Sequence, residues 1–420
     1  MTVKNLSEKL FKPKFNYPET SALIQRFDSQ YVSFAHPLEG QSHAHWYRVL
    51  NSLIWHQRGL PLLEIDAILA RIAASDKKRS NPQWLDSVIG YQSGNWIYEF
   101  AGQASQWQQQ AEALAAQPQT PALKLEIHQA WLNASQFCSL ASYPHFKTDD
   151  LASQAQVFGY RAYREALNYS PYTYKEVDFT YASHTIKGLL HLPAQAVESA
   201  CPIVFMCSSL ANLQIDFYRY FAEYLAPQGI GLLTIDGPGV GLNKAINLTQ
   251  NSSDIHQAVL QQLVNVPWVD HHRVILAGFR FGGHIATRLS YIAANRIKGV
   301  FCIAPFVHQL FVDKTLQDQL PIMYKDLVAS RLGLVSCANE KLAAELNYFS
   351  LKNQGLLGRP CSVPVMSIVF DNDLFCPVSE AKLLTSTKSH KLINVAASPL
   401  QSNVDKAMQQ SVDWMINLIK

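Results

Sequence analysis

The chain has 420 residues, 48% of them apolar and 16% charged, and its 35 basic and 32 acidic side chains leave a formal charge of +3. That length and apolar fraction exclude a disordered chain and allow a substantial core with more than one module. A near-balanced charge with no basic stripe excludes the electrostatic footprint of a nucleic-acid binder.

Residues 1–170 are predicted to form a predominantly helical domain. The stretch 62–75, LLEIDAILARIAAS, repeats apolar residues at helical intervals. The stretch 105–117, SQWQQQAEALAAQ, is rich in helix formers and stops at the Pro118 and Pro121 region. EIHQAWLNASQFCSLASYPHF and DDLASQAQVFGYRAYREALNYS supply two more helical stretches. Repeated Trp, Tyr and His in this half point to a cap or a docking surface.

The pattern changes near Pro171, where a domain spanning 171–420 begins. TYKEVDFTYA and HTIKGLLHLP alternate like an antiparallel hairpin. CPIVFMCSS is a short buried strand, 217–227 a helix, and GIGLLTIDGPG a second buried strand with a glycine-proline loop. SSDIHQAVLQQLVNV, then RVILAGF with the helix after Phe281, then IKGVFCIAP continue the alternation. Residues 308–360 interrupt it with helical segments, expected as a cap over the sheet's carboxyl edge. Strands at 363–370 and 391–397, with a helix at 379–387 between them, complete the series. A last helix spans 402–420, opened by a capping-box-like Ser402 and Asp405, with Val404, Met408, Val412, Met415 and Ile419 toward the core. Buried strands alternating with helices predict a mainly parallel sheet covered on both faces.

No apolar run approaches the roughly 18–20 residues that span a bilayer, and the opening MTVKNLSEKLFKPKFN lacks a secretion signal's apolar core. A cytoplasmic protein with no membrane association is expected. Seven scattered cysteines, Cys138, Cys201, Cys207, Cys302, Cys337, Cys361 and Cys376, lack paired ligand spacing and are expected to be reduced and structural. His43 and His45, and the pair His271 and His272, lack companion metal ligands. The histidine pair is expected in the turn before the RVILAGF strand. GPGVG at 237–241 lacks the ending of a phosphate loop and is no GxGxxG fingerprint. No cofactor or metal motif is present.

Gly278-Phe279-Arg280-Phe281-Gly282, between an apolar strand and a helix, has the backbone pattern of a nucleophile elbow. Glycines flank such a corner because side chains would collide with the neighbouring strand and helix. Arginine occupies the nucleophile's place. It can hold an anion or a polarised carbonyl but cannot do serine's work. The predicted class is therefore an α/β-hydrolase fold with a mostly parallel sheet, a helical N-terminal domain and a helical cap.

CSSLANLQIDFYRYFAEYLAPQGIGLLTIDGPGVG, VPWVDHHRVILAGFRFGGHIATRLSYI and NVDKAMQQSVDWM resemble the FrsA family, the fermentation-respiration switch proteins, and the resemblance covers nearly the whole chain. It implies a cytoplasmic bacterial carboxylic-ester esterase, with arginine at the elbow as part of the family pattern. It also implies binding to the unphosphorylated glucose-specific EIIA component of the sugar phosphotransferase system. Cofactor-independent decarboxylation of pyruvate has been attributed to a family member, but the chain offers no thiamine, pyridoxal or metal motif as an electron sink.

A serine triad needs nucleophile, acid and histidine in that chain order. Arg280 takes the first place. Asp371 and Asp373 follow the strand ending at Phe370, and Asp373 fits the acid better. The loop 398–401, SPLQ, holds no histidine, and His390 precedes its strand. Ser208 and Ser209 end the strand that begins near Pro202. Amides near Ser209 and Leu210, with that of Phe281, could converge on an oxyanion. His284 and His308 are expected in packing or surface roles. Asp236, at the end of GLLTID, is expected to pair with Arg280, since a charge inside a cleft needs a partner. Arg280 is then either a structural clamp or the group that holds a carboxylate or ester oxygen while water attacks. Two functions follow: an esterase acting weakly or on short acyl esters, or a catalytically degenerate hydrolase-fold regulator.

Overall fold

The computed structural model describes residues 45–419 apart from 198 and 335–336, together with a short antiparallel ladder of Ala35–His36 and Gly40–Gln41. The helical reading of 1–34, and His43, lie outside the described residues. Helices α1 (Ser52–Gln57), α2 (Leu62–Ala74), α3 (Trp96–Ala115), α4 (Pro121–Ser142) and α5 (Asp150–Asn168) precede the sheet. Three begin on side-chain caps: Asn95, Thr120 and Asp149 accept the amides of Tyr98, Leu123 and Ala152. α3 therefore starts at Trp96, well before the predicted 105. Its first turn, WIYEF, is aromatic and carries no helical polar face. α4 is buried on every side from Ala130 to Ser142. Its small residues allow that, and Gly159 of α5 comes so near that a Cβ there would stand 3.2 Å from the Cys138 Cβ.

Eight strands form the main sheet: β1 (Thr173–Tyr181), β2 (His184–Leu192), β3 (Cys201–Cys207), β4 (Gly231–Ile235), β5 (Val269–Phe279), β6 (Gly299–Ile303), β7 (Val365–Phe370) and β8 (His390–Val395). Their spatial order is β8-β7-β6-β5-β3-β4-β2-β1, parallel except for the β1–β2 hairpin and the β2–β4 pairing. β3 lies between β4 and β5, so the strand order reverses there. In open α/β sheets the crevice for a ligand opens beyond the carboxyl ends of the strands at such a reversal. The loops carrying Ser208 and Arg280 meet at this point.

Helices α6 (Asp254–Gln262) and α7 (Phe281–Ile292) flank the centre. Between β6 and β7 the chain makes short helices at Gln309–Val312 and Lys314–Asp318, then α8 (Ile322–Arg331) and α9 (Asn339–Asn347). The buried Glu380 accepts the amides of Val307, His308 and Gln309, anchoring the start of this excursion. Helix α10 (Leu400–Ile419) closes the fold, burying Val404, Val412, Met415 and Ile419. Each such side chain contributes about 1.5–3 kcal/mol.

Four local expectations need correction. His271 and His272 lie within β5, not in a turn before it. The helix predicted at 379–387 is only Val378–Ala381, because Thr387 instead donates its amide to the Cys361 carbonyl. α10 starts before Ser402, and Asp405 accepts from Gln401 and Gln57 rather than closing a capping box. The 214–228 segment is a broken helix with a π turn at Phe221–Leu225. All seven cysteines are buried and unbridged, and no described helix is long and apolar enough to cross a membrane.

Candidate functional site

Arg280 stands between β5 and α7 with φ 52° and ψ −113°. An L-residue holds that conformation only where its surroundings over-determine it. The neighbouring glycines show how they do so. A Cβ on Gly278 would lie 2.3 Å from the Gly282 carbonyl carbon, and one on Gly282 would lie 2.0 Å from the Cys207 carbonyl oxygen. Strand, helix and the β3 loop thus pack backbone to backbone, and the corner residue is thrust outward.

The arginine side chain is only 3% exposed, and its Nη1 donates to Asp373 Oδ2 at 2.6 Å. A longer contact of 3.5 Å reaches the Ala304 carbonyl, and the guanidinium lies 5.0 Å from the Phe306 ring centre. The other Asp373 oxygen accepts the amides of Phe375 and Cys376 at 3.0 and 2.9 Å. A buried ion pair tolerates desolvation only when its remaining polar atoms are also satisfied in this way. In a serine triad an imidazole sits between nucleophile and acid. Here the long arginine side chain crosses that gap and meets the acid itself. The loop 396–399 brings no imidazole. Asp371 is turned to β8, accepting from Asn394 at 2.6 Å.

The expected Asp236–Arg280 pair is not formed. The lone pairs of Asp236 are already taken by the Tyr160 hydroxyl and by the amides of Gln214 and Leu242 at 2.8 and 2.7 Å. A Cβ on Gly241, where φ is +52°, would fall 2.2 Å from its Oδ2, so the turn closes directly on the carboxylate. Burial pushes this carboxyl up to about 6, against the pull of the Tyr160 hydroxyl and the two amides. Asp236 joins α5, the 214–228 segment and the turn after β4, and it does not line the cavity beside Arg280.

Ser208 is buried, and its hydroxyl donates to the Ile235 carbonyl at 3.1 Å, tying β3 to β4. Ser209 and Leu210 instead line a cavity of about 100 Å³ together with Arg280 and Phe281. One water needs only about 10–15 Å³ by the same measure. Phe281 opens α7, so its amide has no intrahelical acceptor and sits at the positive end of the helix dipole. α1 forms one wall through Ile54, Trp55 and Arg58, and α8 and α9 form another through Leu327, Val328 and Leu346. Among the described residues, no imidazole or carboxylate lines this cavity. The charge of Arg58 is met by Asp216 at 2.5 Å.

Arg331, which the sequence did not single out, fixes the β3 loop. Its guanidinium is fully buried and donates to the carbonyls of Leu210, Pro144, His145 and Gly239 at 2.7–3.1 Å. Burial brings it down to about 9, with Asp236 pulling the other way. A second unforeseen contact joins the Ser252 hydroxyl and His284 Nε2 at 2.8 Å, with His284 Nδ1 3.1 Å from the Phe306 carbonyl. This serine–imidazole pair is buried behind Phe281, Phe311 and Phe349, whose rings pack on His284. It lines neither that cavity nor its mouth. His308 bonds to Ser350 at 2.8 Å within the excursion.

The whole chain, residues 1–420, matches the family model for FrsA-like esterases. It belongs to the FrsA-like esterase family. Esterase FrsA of Pectobacterium atrosepticum is 47% identical over 419 residues, covering 99% of each chain, and that of Yersinia enterocolitica is 46% identical over 418 residues, again covering 99% of each. Among solved structures, 2,6-dihydroxy-pseudo-oxynicotine hydrolase superposes with a TM-score of 0.70 at 13% identity, over 88% of this chain and 96% of that one. AbyA5 gives 0.63 at 17%, over 85% and 95%. These two likenesses show the fold, an α/β-hydrolase. FrsA-like membership and this fold together support an esterase-type hydrolase.

Proposed function

We propose that this FrsA-like chain hydrolyses short acyl esters weakly, through an arginine-centred site instead of a serine triad. The supporting observation is that the elbow delivers Arg280 to the wall of a mostly apolar cavity, beside the first amide of α7. In this reading the acyl group lies against the phenylalanines, and the carbonyl oxygen faces Arg280 and the amides of Phe281, Ser209 and Leu210. Water adds to the carbonyl carbon, the oxyanion is stabilised by these donors, and its collapse breaks the bond to the alcohol oxygen. The leaving alkoxide takes up the proton that the attacking water releases. Asp373 is a positioning residue that aims Arg280, whereas Asp236 and Ser208 belong to the scaffold.

With no imidazole or carboxylate among the described residues lining the cavity, leaving-group departure goes without a strong general acid in this reading. Turnover should therefore fall steeply from p-nitrophenyl butyrate to phenyl butyrate to ethyl butyrate. The paired replacement Arg280→Met with Asp373→Leu, which removes both charges of the pair, should abolish it. Equal rates for the three esters, or unchanged turnover in the paired variant, would overturn this site.

A second reading takes the fold as a catalytically degenerate regulator that binds unphosphorylated glucose-specific EIIA. The closure of Arg280 onto Asp373 and the vacant histidine place favour it. Titration with purified EIIA tests it, and lack of saturable binding removes that partner.

A further inference from the structure

A second cavity, of about 150 Å³, lies on the face of the sheet between the 214–228 segment and α10. Ala277, Phe301, Ile368, Phe370, Val404 and Met408 are among its apolar lining residues. It adjoins the elbow cavity across Ser209, Asn212 and Phe279 but contains neither Arg280 nor Phe281. Apolar cavities of about this size stay dry and accept a benzene-sized guest.

Two features separate this space from a simple packing gap. Tyr220 lines it, and its hydroxyl is shut off from solvent and has no hydrogen-bond partner among the described residues. Buried polar groups are satisfied with few exceptions, so an unmet hydroxyl at a cavity wall marks where a polar atom is wanted. Tyr220 also leads directly into the π turn Phe221–Leu225, and such turns recur at functional sites. Burial raises the phenol above its usual range, so it remains a neutral donor.

The charges at the rim are consumed. Arg58 bonds to Asp216, Gln136 and Ser139, and Asp216 also accepts from Ser139 and the Leu213 amide. A carboxylate or ammonium guest would find no free counter-charge there among the described residues, and desolvating it would be costly. We propose that this cavity binds an uncharged, ring-sized apolar molecule bearing one oxygen, which the Tyr220 hydroxyl recognises.

Fluorine NMR titration with 4-fluorophenol and fluorobenzene tests this. Wild-type protein should bind both saturably. Ala407→Phe, which fills the cavity from α10, should weaken both at least tenfold, while Leu346→Phe, on the elbow cavity alone, should leave them unchanged. Tyr220→Phe should weaken 4-fluorophenol about tenfold and spare fluorobenzene. In wild-type protein carrying labelled methionine methyls, the Met206 and Met408 signals should move on titration, which reads the site even where Ala407→Phe fails to fold. No saturable binding, fixed Met206 and Met408 signals, or equal loss of both probes in Tyr220→Phe would overturn the proposal.

Discussion

Arg280 and Asp373 stabilise the elbow only as a pair. Arg280→Ala leaves the Asp373 carboxylate buried without its cation, and the expected loss is about 3–5 kcal/mol in denaturant unfolding. The Arg280→Met, Asp373→Leu pair should recover part of that, because neither charge of the pair is left buried, although the Phe375 and Cys376 amides lose their acceptor. Burial also sets the acid response. It brings His256 down to about 3, His284 to about 3 and His191 to about 4. Below about 6.5 the unfolded chain takes up protons that these folded imidazoles refuse, so stability is full above that pH and is lost toward 3–4. Asp236 acts in the opposite sense: its folded value of about 6 lies above the unfolded value near 3.8, so its contribution is lost as pH rises through 6. These three histidines outweigh that one carboxyl, so together the four groups make stability fall from pH 6 to 4. His256→Phe should shed about 1.4 kcal/mol of that slope, read from unfolding midpoints across pH. Both ring nitrogens of His256 lack partners among the described residues, so the replacement removes no hydrogen bond there.

At the scale of elements, the β3 loop depends on Arg331, whose fork serves four carbonyls from three parts of the chain. Arg331→Lys offers a single point donor and should cost about 2 kcal/mol or more, with faster amide exchange near Leu210 and Gly239. Much of the fold was legible beforehand. Buried strands are short apolar runs bounded by turn residues, and β3, β4, β6 and β7 follow that rule. The hairpin β1–β2 declared itself by alternation, and the elbow by the glycines around Arg280. Failures came where local propensity was overruled. Asn95 caps an aromatic turn into α3, and pairing of residue 387 with Cys361 cuts a helix short. The place of Asp373 was legible because a strand end fixes it. Its partnership with Arg280 was not, since that depends on side-chain reach and on Asp236 being already satisfied. Arg331 and the Ser252–His284 pair left no sequence signal, because their contacts join residues far apart in the chain.

For the molecule as a whole, the reversal of strand order between β4 and β5 places the β3 and β5 loops at one crevice, and the excursion between β6 and β7 walls it. Hydrolase architecture is thus kept, with arginine at the elbow where a serine triad would have its nucleophile. Two serines compete with an arginine-centred site: Ser209 at the cavity, where no imidazole among the described residues lies to activate it, and Ser252, bonded to an imidazole but walled off by phenylalanines. Either would form an acyl-enzyme, and direct attack by water would not. Intact-protein mass spectrometry during steady hydrolysis of p-nitrophenyl butyrate separates them. The expected result is ester consumption with an unchanged protein mass; a butyryl adduct mapped to Ser209, Ser252 or any other serine would contradict it.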